Sequence, residues 1–216
     1  MKKQYLVLGV GVLLLALFIV ATSQHKTQQS DKLSETAFKN KSILVRDYSP
    51  TMGNKNAKVT IVEFFDPACE TCRAFYPFVK QLMAANPGKI NLVLRYTPFH
   101  RGSDYVIKIL ESSRLQNKFW QTLEATYEAQ PAWASHGNPQ PERLWMLLGK
   151  VGLNLDKARQ DMQSQKIADR IKQDMADAQQ LQVTKTPGFF VNGKPLVQFG
   201  YEQLQNLVET ELRNMY

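Results

Sequence analysis

Cysteine is nearly absent: the 216 residues hold two, Cys69 and Cys72, separated by two positions. A disulfide across so short a loop would staple almost nothing, because the entropic benefit of a cross-link grows with the ring it closes. Zinc is poorly served as well. The three histidines, His25, His100 and His136, are scattered, and no second Cys-x-x-Cys completes a ligand set. Blocks of like charge are also missing. The formal charge is +8, and Gln24 to Tyr216 carries +6 of it, from 25 basic and 19 acidic residues with the signs interspersed. Such a surface can steer an acidic partner or meet an anionic membrane surface, but no motif accompanies it that would point to nucleic acid. What is left for Cys69-Glu70-Thr71-Cys72 is redox chemistry, with the Cys69–Cys72 pair itself in place of any cofactor.

Long hydrophobic runs are confined to the N-terminus. After Lys2 and Lys3, the 17 residues from Tyr5 to Ala21 carry no charged side chain. As a helix this run would be about 25 Å long, at the short end for a membrane span. Lysines before it and none within it would orient the remainder outward. Residues 1–23 are therefore expected to be a signal anchor, with a cleaved signal peptide ending at Ser23 as the alternative. Either reading places the protein outside the cytoplasm: tethered to a bacterial inner membrane facing the periplasm, or soluble there after cleavage.

A length of 216 residues and 44% hydrophobic content suit one compact domain, or one carrying a large insertion. Residues 24–42 read as a polar linker, Ile43 to Val45 as a short strand, and Ser49 to Lys58 as turn sequence. Val59 to Phe65 reads as a buried central strand. Cys72, Phe75, Val79 and Leu82 then fall at helical spacing, with Pro77 expected to kink the helix. Ile90 to Tyr96 reads as a second strand, so the dithiol sits at a helix start inside a βαβ unit, the context a redox Cys-x-x-Cys requires. From residue 101 to 180 helical repeats dominate, including a short helix over Glu142 to Lys150 and one long helix from Leu155 to Met175. Strand pattern returns at Phe189 to Val191, with Asn192-Gly193 as a favoured hairpin turn and Leu196 to Phe199 as the partner strand. An amphipathic helix from Tyr201 to Leu212 follows.

Disulfide exchange needs a thiolate to attack one sulfur and a second thiol to resolve the mixed disulfide. Cys69, exposed at the first turn where free amides and the helix dipole favour its thiolate, is assigned as nucleophile. Cys72 faces inward and is assigned as resolving thiol. Glu70 and Thr71 tune the pair; with no histidine between the cysteines, less thiolate stabilisation is expected than a histidine would supply. Glu63, on the strand beneath the motif, could be a buried proton relay or a surface acid. Thr186-Pro187 precedes a strand; if the bond is cis, it would offer the Thr186 backbone to a substrate strand.

The stretch GNKNAKVTIVEFFDPACETCRAFYPFVKQL (53–82) together with VTKTPGFFVNGKPL (183–196) resembles the DsbA-like branch of the thioredoxin superfamily, over roughly residues 43–214. The resemblance implies an α/β thioredoxin-like fold in two parts, 43–100 and 181–216, around an inserted helical subdomain at 101–180, all preceded by the N-terminal membrane segment. It also implies that Cys69 attacks, Cys72 is its buried partner, and Pro187 is a cis-proline with Thr186 helping to hold substrate. Relatives of this kind oxidise, reduce or isomerise disulfides in exported proteins with cysteines, and a membrane redox partner resets them. Glu70-Thr71 departs from the Pro-His of the well-studied oxidase pattern, and Thr186 replaces its valine, which leaves the direction of exchange open. A periplasmic chaperone or copper-delivery module on the same fold is the competing function, and stable copper binding without exchange would mark it.

Overall fold

The computed structural model describes residues 2–135 and 137–216; His136 and Met1 lie outside them. Helix α1 (Lys2–Lys39) leads through a 3-10 turn at Lys41–Ile43 to strand β1 (Thr51–Gly53), and β2 (Val59–Phe65), α2 (Glu70–Ala85) and β3 (Ile90–Tyr96) follow. Helices α3 (Ser103–Arg114), α4 (Phe119–Glu128), α5 (Gln130–Trp133), α6 (Trp145–Leu148), α7 (Leu155–Asp161) and α8 (Gln165–Gln180) come next. Strands β4 (Gly188–Val191) and β5 (Lys194–Pro195) and helix α9 (Tyr201–Met215) complete the chain.

The five strands lie in the order β1-β3-β2-β4-β5, with β2 and β3 parallel and the other neighbours antiparallel. Both faces of β2 are covered, which is why VTIVEFF reads as an almost unbroken apolar run. Ile61 and Phe65 pack with Phe75, Val79, Leu204 and Val208 beneath α2 and α9. Val62 and Phe64 pack on the opposite face with Ala37, Leu44, Ala178 and Phe190. Helices α3 to α7 build a further core around Trp133, Leu144, Trp145 and Leu148, and Ala68 from the loop before α2 joins it. The architecture is an α/β thioredoxin fold with an inserted helical subdomain.

The expected N-terminal membrane segment does not hold. Residues 5–21 form part of α1, but among the described residues no helix is long and apolar enough to cross a membrane. Their 17 residues span about 25 Å, short of the roughly 30 Å hydrocarbon core, and α1 continues without a break into polar sequence up to Lys39. The signal anchor, and the inner-membrane placement that rested on it, are set aside accordingly. Residues 24–39, read as linker, are helical, and Ala37 is fully buried.

The smaller differences have local causes. No strand forms at 43–45, because the Ile43 and Leu44 carbonyls accept hydrogen bonds from Arg95 instead of entering a ladder. The edge strand is β1, where turn residues stand. Gly53 ends it at φ +94°, and a Cβ there would lie 2.6 Å from the Ile90 carbonyl oxygen. The single helix expected over 155–175 is two, α7 and α8, with Ser164 as the N-cap of the second. The hairpin turn is as read, with Asn192 at φ 50° and Gly193 at φ 88°. Its second strand, though, is Lys194–Pro195, prolonged by one hydrogen bond from the Leu196 amide to the Phe189 carbonyl. Pro77 is accommodated within α2, which runs unbroken to Ala85.

Candidate active site

Cys69 is the N-cap of α2: its backbone is extended (φ −72°, ψ 118°), and its sulfur accepts a hydrogen bond from the Cys72 amide at 3.4 Å. A cysteine here takes the place that Ser, Thr or Asp usually fills, so the unpaired amides of the first turn converge on Sγ. Both cysteines are free thiols. A hydrogen bond from the Cys72 thiol, aided by the Thr186 side chain and by the backbone amides of Cys72 and Thr71, holds the Cys69 pKa down at about 5 against the opposing effect of burial. Burial pushes the Cys72 thiol well above its ordinary range, and the neighbouring Cys69 and Glu63 add to that. The sequence placed Cys69 in the open; the structure leaves 6% of it accessible, with the Thr186 carbonyl against its sulfur.

The Thr186–Pro187 peptide bond is cis, and the Thr186 carbonyl lies 3.3 Å from Cys69 Sγ, accepting from the thiol. Glu70 and Thr71 are both exposed on the first turn of α2. Glu63 is 1% exposed on the α2 side of β2, paired across to Phe189, and its Oε1 has no hydrogen-bond partner. Burial first, and the charge of Cys69 second, raise its pKa to about 8. The surface reading of Glu63 is thereby excluded.

Two anchors of the redox loop carried no sequence signal. Asp66, fully buried, accepts hydrogen bonds from the Ala68 amide (2.8 Å), the His100 amide (2.8 Å) and the Ser103 hydroxyl, and it pairs with His100 Nδ1 at 2.8 Å. Its own carbonyl accepts from the Cys69 amide at 3.0 Å. Gln130, at the start of α5, donates from Nε2 to the carbonyls of Pro67 (2.8 Å) and Cys69 (3.1 Å). Both partners lie far along the chain, and neither Asp-Pro nor Gln-Pro distinguishes a site from a turn. Among the described residues no group of three or more His, Cys, Asp or Glu side chains is placed to hold a metal ion.

A family model described as thioredoxin matches residues 46–210. The Na(+)/H(+) antiporter NhaA of Herminiimonas arsenicoxydans is 26% identical over 144 residues, which cover 67% of this chain and 22% of that protein. The chain thus spans about a fifth of the length of the first curated relatives it matches. Disulfide bond formation protein D of Bacillus subtilis is 23% identical over 181 residues, covering 76% of this chain and 77% of that one. A thioredoxin-like oxidoreductase from Silicibacter pomeroyi superposes with a TM-score of 0.69 at 29% identity, over 80% of this chain and 96% of the other. The thiol-disulfide exchange protein alpha-DsbA2 of Wolbachia pipientis shares the fold at a TM-score of 0.71 and 20% identity, over 85% and 97%. With that match running from residue 46 to 210 on a sheet whose central strand leads into a Cys-x-x-Cys helix, the chain belongs to the thioredoxin family.

Proposed function

We propose that the protein is a thiol–disulfide oxidoreductase that exchanges disulfides with cysteine-bearing substrate proteins, Cys69 attacking and Cys72 resolving. The observation that carries this reading is the split between two thiols three residues apart. Cys69 caps the helix with its pKa held at about 5, while Cys72 is buried and pushed up. At neutral pH one is a thiolate and the other a thiol, the asymmetry that attack followed by resolution requires. In the reducing direction the Cys69 thiolate attacks a substrate disulfide and Cys72 resolves the mixed disulfide; in the oxidising direction the same steps run backwards, and a substrate thiolate attacks Cys69 Sγ and expels the Cys72 thiolate. The Cys72 thiolate takes up a proton, and Glu63 beneath the pair serves as the relay. The substrate's second thiolate then attacks its own sulfur in the mixed disulfide and releases Cys69 as the stabilised thiolate. Electrons pass from two substrate thiols to the Cys69–Cys72 disulfide, and the product is a substrate disulfide.

A stabilised thiolate makes the reduced enzyme the favoured state, so the low Cys69 pKa supports disulfide donation over reduction. Thr186, with its carbonyl at the sulfur and Pro187 behind it, is the backbone contact for an extended substrate segment; Glu70 and Thr71 face that segment from α2. Substrates are exported proteins, since disulfides persist outside the reducing cytoplasm, and a separate membrane redox partner reoxidises the pair. Cys69→Ser is expected to abolish exchange and Cys72→Ser to accumulate mixed disulfides through Cys69. A glutathione titration fixes the direction: a potential toward about −120 mV fits donation, and one near about −270 mV would overturn it in favour of reduction.

A further inference from the structure

The helical insertion reaches the dithiol through one side chain. Gln130 is 1% exposed, and its Nε2 donates to two carbonyls of the redox loop, Pro67 at 2.8 Å and Cys69 at 3.1 Å. The Cys69 carbonyl also accepts the first helical bond of α2, from the Arg73 amide at 3.2 Å. Gln130 therefore grips the peptide unit that both caps α2 and carries the reactive sulfur. Its other end supports the same conclusion. Oε1 is buried and has no hydrogen-bond partner, a penalty that a leucine or methionine of similar size would avoid. Turning the amide over would set an oxygen against two carbonyl oxygens, so the orientation follows from the surroundings. The side chain is in place for its two N–H groups.

We propose that Gln130 is a positioning residue for the redox reaction: the insertion uses its amide to fix the Cys69 carbonyl, and so holds Cys69 Sγ over the free amides of the first turn of α2. The inference rests on Cys69 being the reactive thiol. Without the clamp the 67–69 loop is free to shift, Sγ moves off the Cys72 and Thr71 amides, and the thiolate loses stabilisation. Packing alone would predict something different: a lost contact in the insertion, lower stability, and an unchanged thiolate.

The test is the thiolate titration of reduced Cys69, read by ultraviolet absorbance against pH in the full chain. It needs no turnover, so it stands whether or not exchange with substrate proteins is found. Gln130→Met keeps the bulk and removes both donors. Gln130→Leu is of similar size, uncharged and likewise without a donor, and it serves if the first variant does not fold. The midpoint is expected to rise in either variant, and the equilibrium constant with glutathione to shift toward the disulfide form by about threefold, or roughly 15 mV. Trp133→Phe, which removes the indole bond to the Thr126 carbonyl within the same insertion, is expected to lower stability and leave the midpoint unmoved. A Gln130 variant that titrates like the parent would overturn the proposal, whatever its melting temperature. A parent that fails to exchange disulfides would instead count against the proposed function.

Discussion

Two residues on the same face of one strand and helix make opposite demands on pH. Folded, Glu63 keeps its proton up to about pH 8, whereas an unfolded chain gives it up near the ordinary value of 4.5. The native state holds more protons across that window, so the Glu63 contribution to stability falls as pH rises through it. Reduced Cys69 works the other way. Its folded pKa of about 5 lies below the ordinary 9.0, so its contribution grows as pH rises from about 5 toward 9. Between about pH 5 and 8 the two offset each other. Glu63→Gln removes one of them: the urea midpoint of the reduced variant is expected to climb from pH 5 to pH 8 while that of the parent stays nearly level. A variant as level as the parent would show that Glu63 is not held protonated by the fold. The residue types were legible here, because Cys-x-x-Cys and an acid inside an apolar strand stand out. The degree of covering was not: Cys69 is screened by Thr186, 117 positions away, and spacing along one helix carries no information about that.

At the scale of elements, α2 is positioned by what precedes it. The Asp66 carboxylate joins the end of β2 to the start of α3 through the His100 amide and ring and the Ser103 hydroxyl, and it closes its own turn on the Ala68 amide. Asp66→Ala would leave several of these donors buried and unpaired, at about 1–3 kcal/mol for each group that water cannot reach. The expected loss is about 3 kcal/mol or more by urea denaturation, with reduced exchange activity. A loss below about 1 kcal/mol would mean that water or neighbouring groups replace the carboxylate. The long periodic elements, β2, α2, β3 and α9, could be read from the sequence because each buries a continuous stripe. The short ones could not. Strand β1 is three residues at an edge, written in turn residues and held by pairing with Leu92 and Val93. The break between α7 and α8 comes from a capping turn at Ser164, which interrupts an apolar period without altering it. The apolar run of α1 likewise looked like a complete span until it proved to be the first part of a longer helix.

Across the whole molecule, one buried cation ties three regions together. Arg95 on β3 is fully buried; its guanidinium meets Asp174 at 2.8 Å and Asp177 from α8, and it donates to the Leu44 carbonyl at 2.8 Å. Arg46 and Tyr48 reach the same two carboxylates from the N-terminal side, at 2.7 and 2.6 Å. Removing one member of such a set leaves an uncompensated buried charge, which costs about 3–5 kcal/mol. Arg95→Ala is expected to lose that much by chemical denaturation while the Cys69 thiolate titration stays in place. Arg95→Lys should not restore it, because one ammonium cannot span two carboxylates and a carbonyl. A loss of less than about 1 kcal/mol would place the cluster among exposed pairs in its effect. The sequence showed Arg95 only as a charge at the end of a strand; its partners stand about 80 positions later, and nothing local announces them.

The insertion also bears on how separable this protein is. Ser103, Gln130, Asp174 and Asp177 all lie between β3 and β4, and each bonds to a group of the thioredoxin frame. A trimmed version in which a short turn replaced that segment would keep every strand of the sheet. It would also strand the Asp66 carboxylate, the Arg95 guanidinium and the loop bearing Cys69 without their partners. Modularity therefore ends at the topology diagram: the fold can be drawn in two pieces, but its wiring cannot be cut between them.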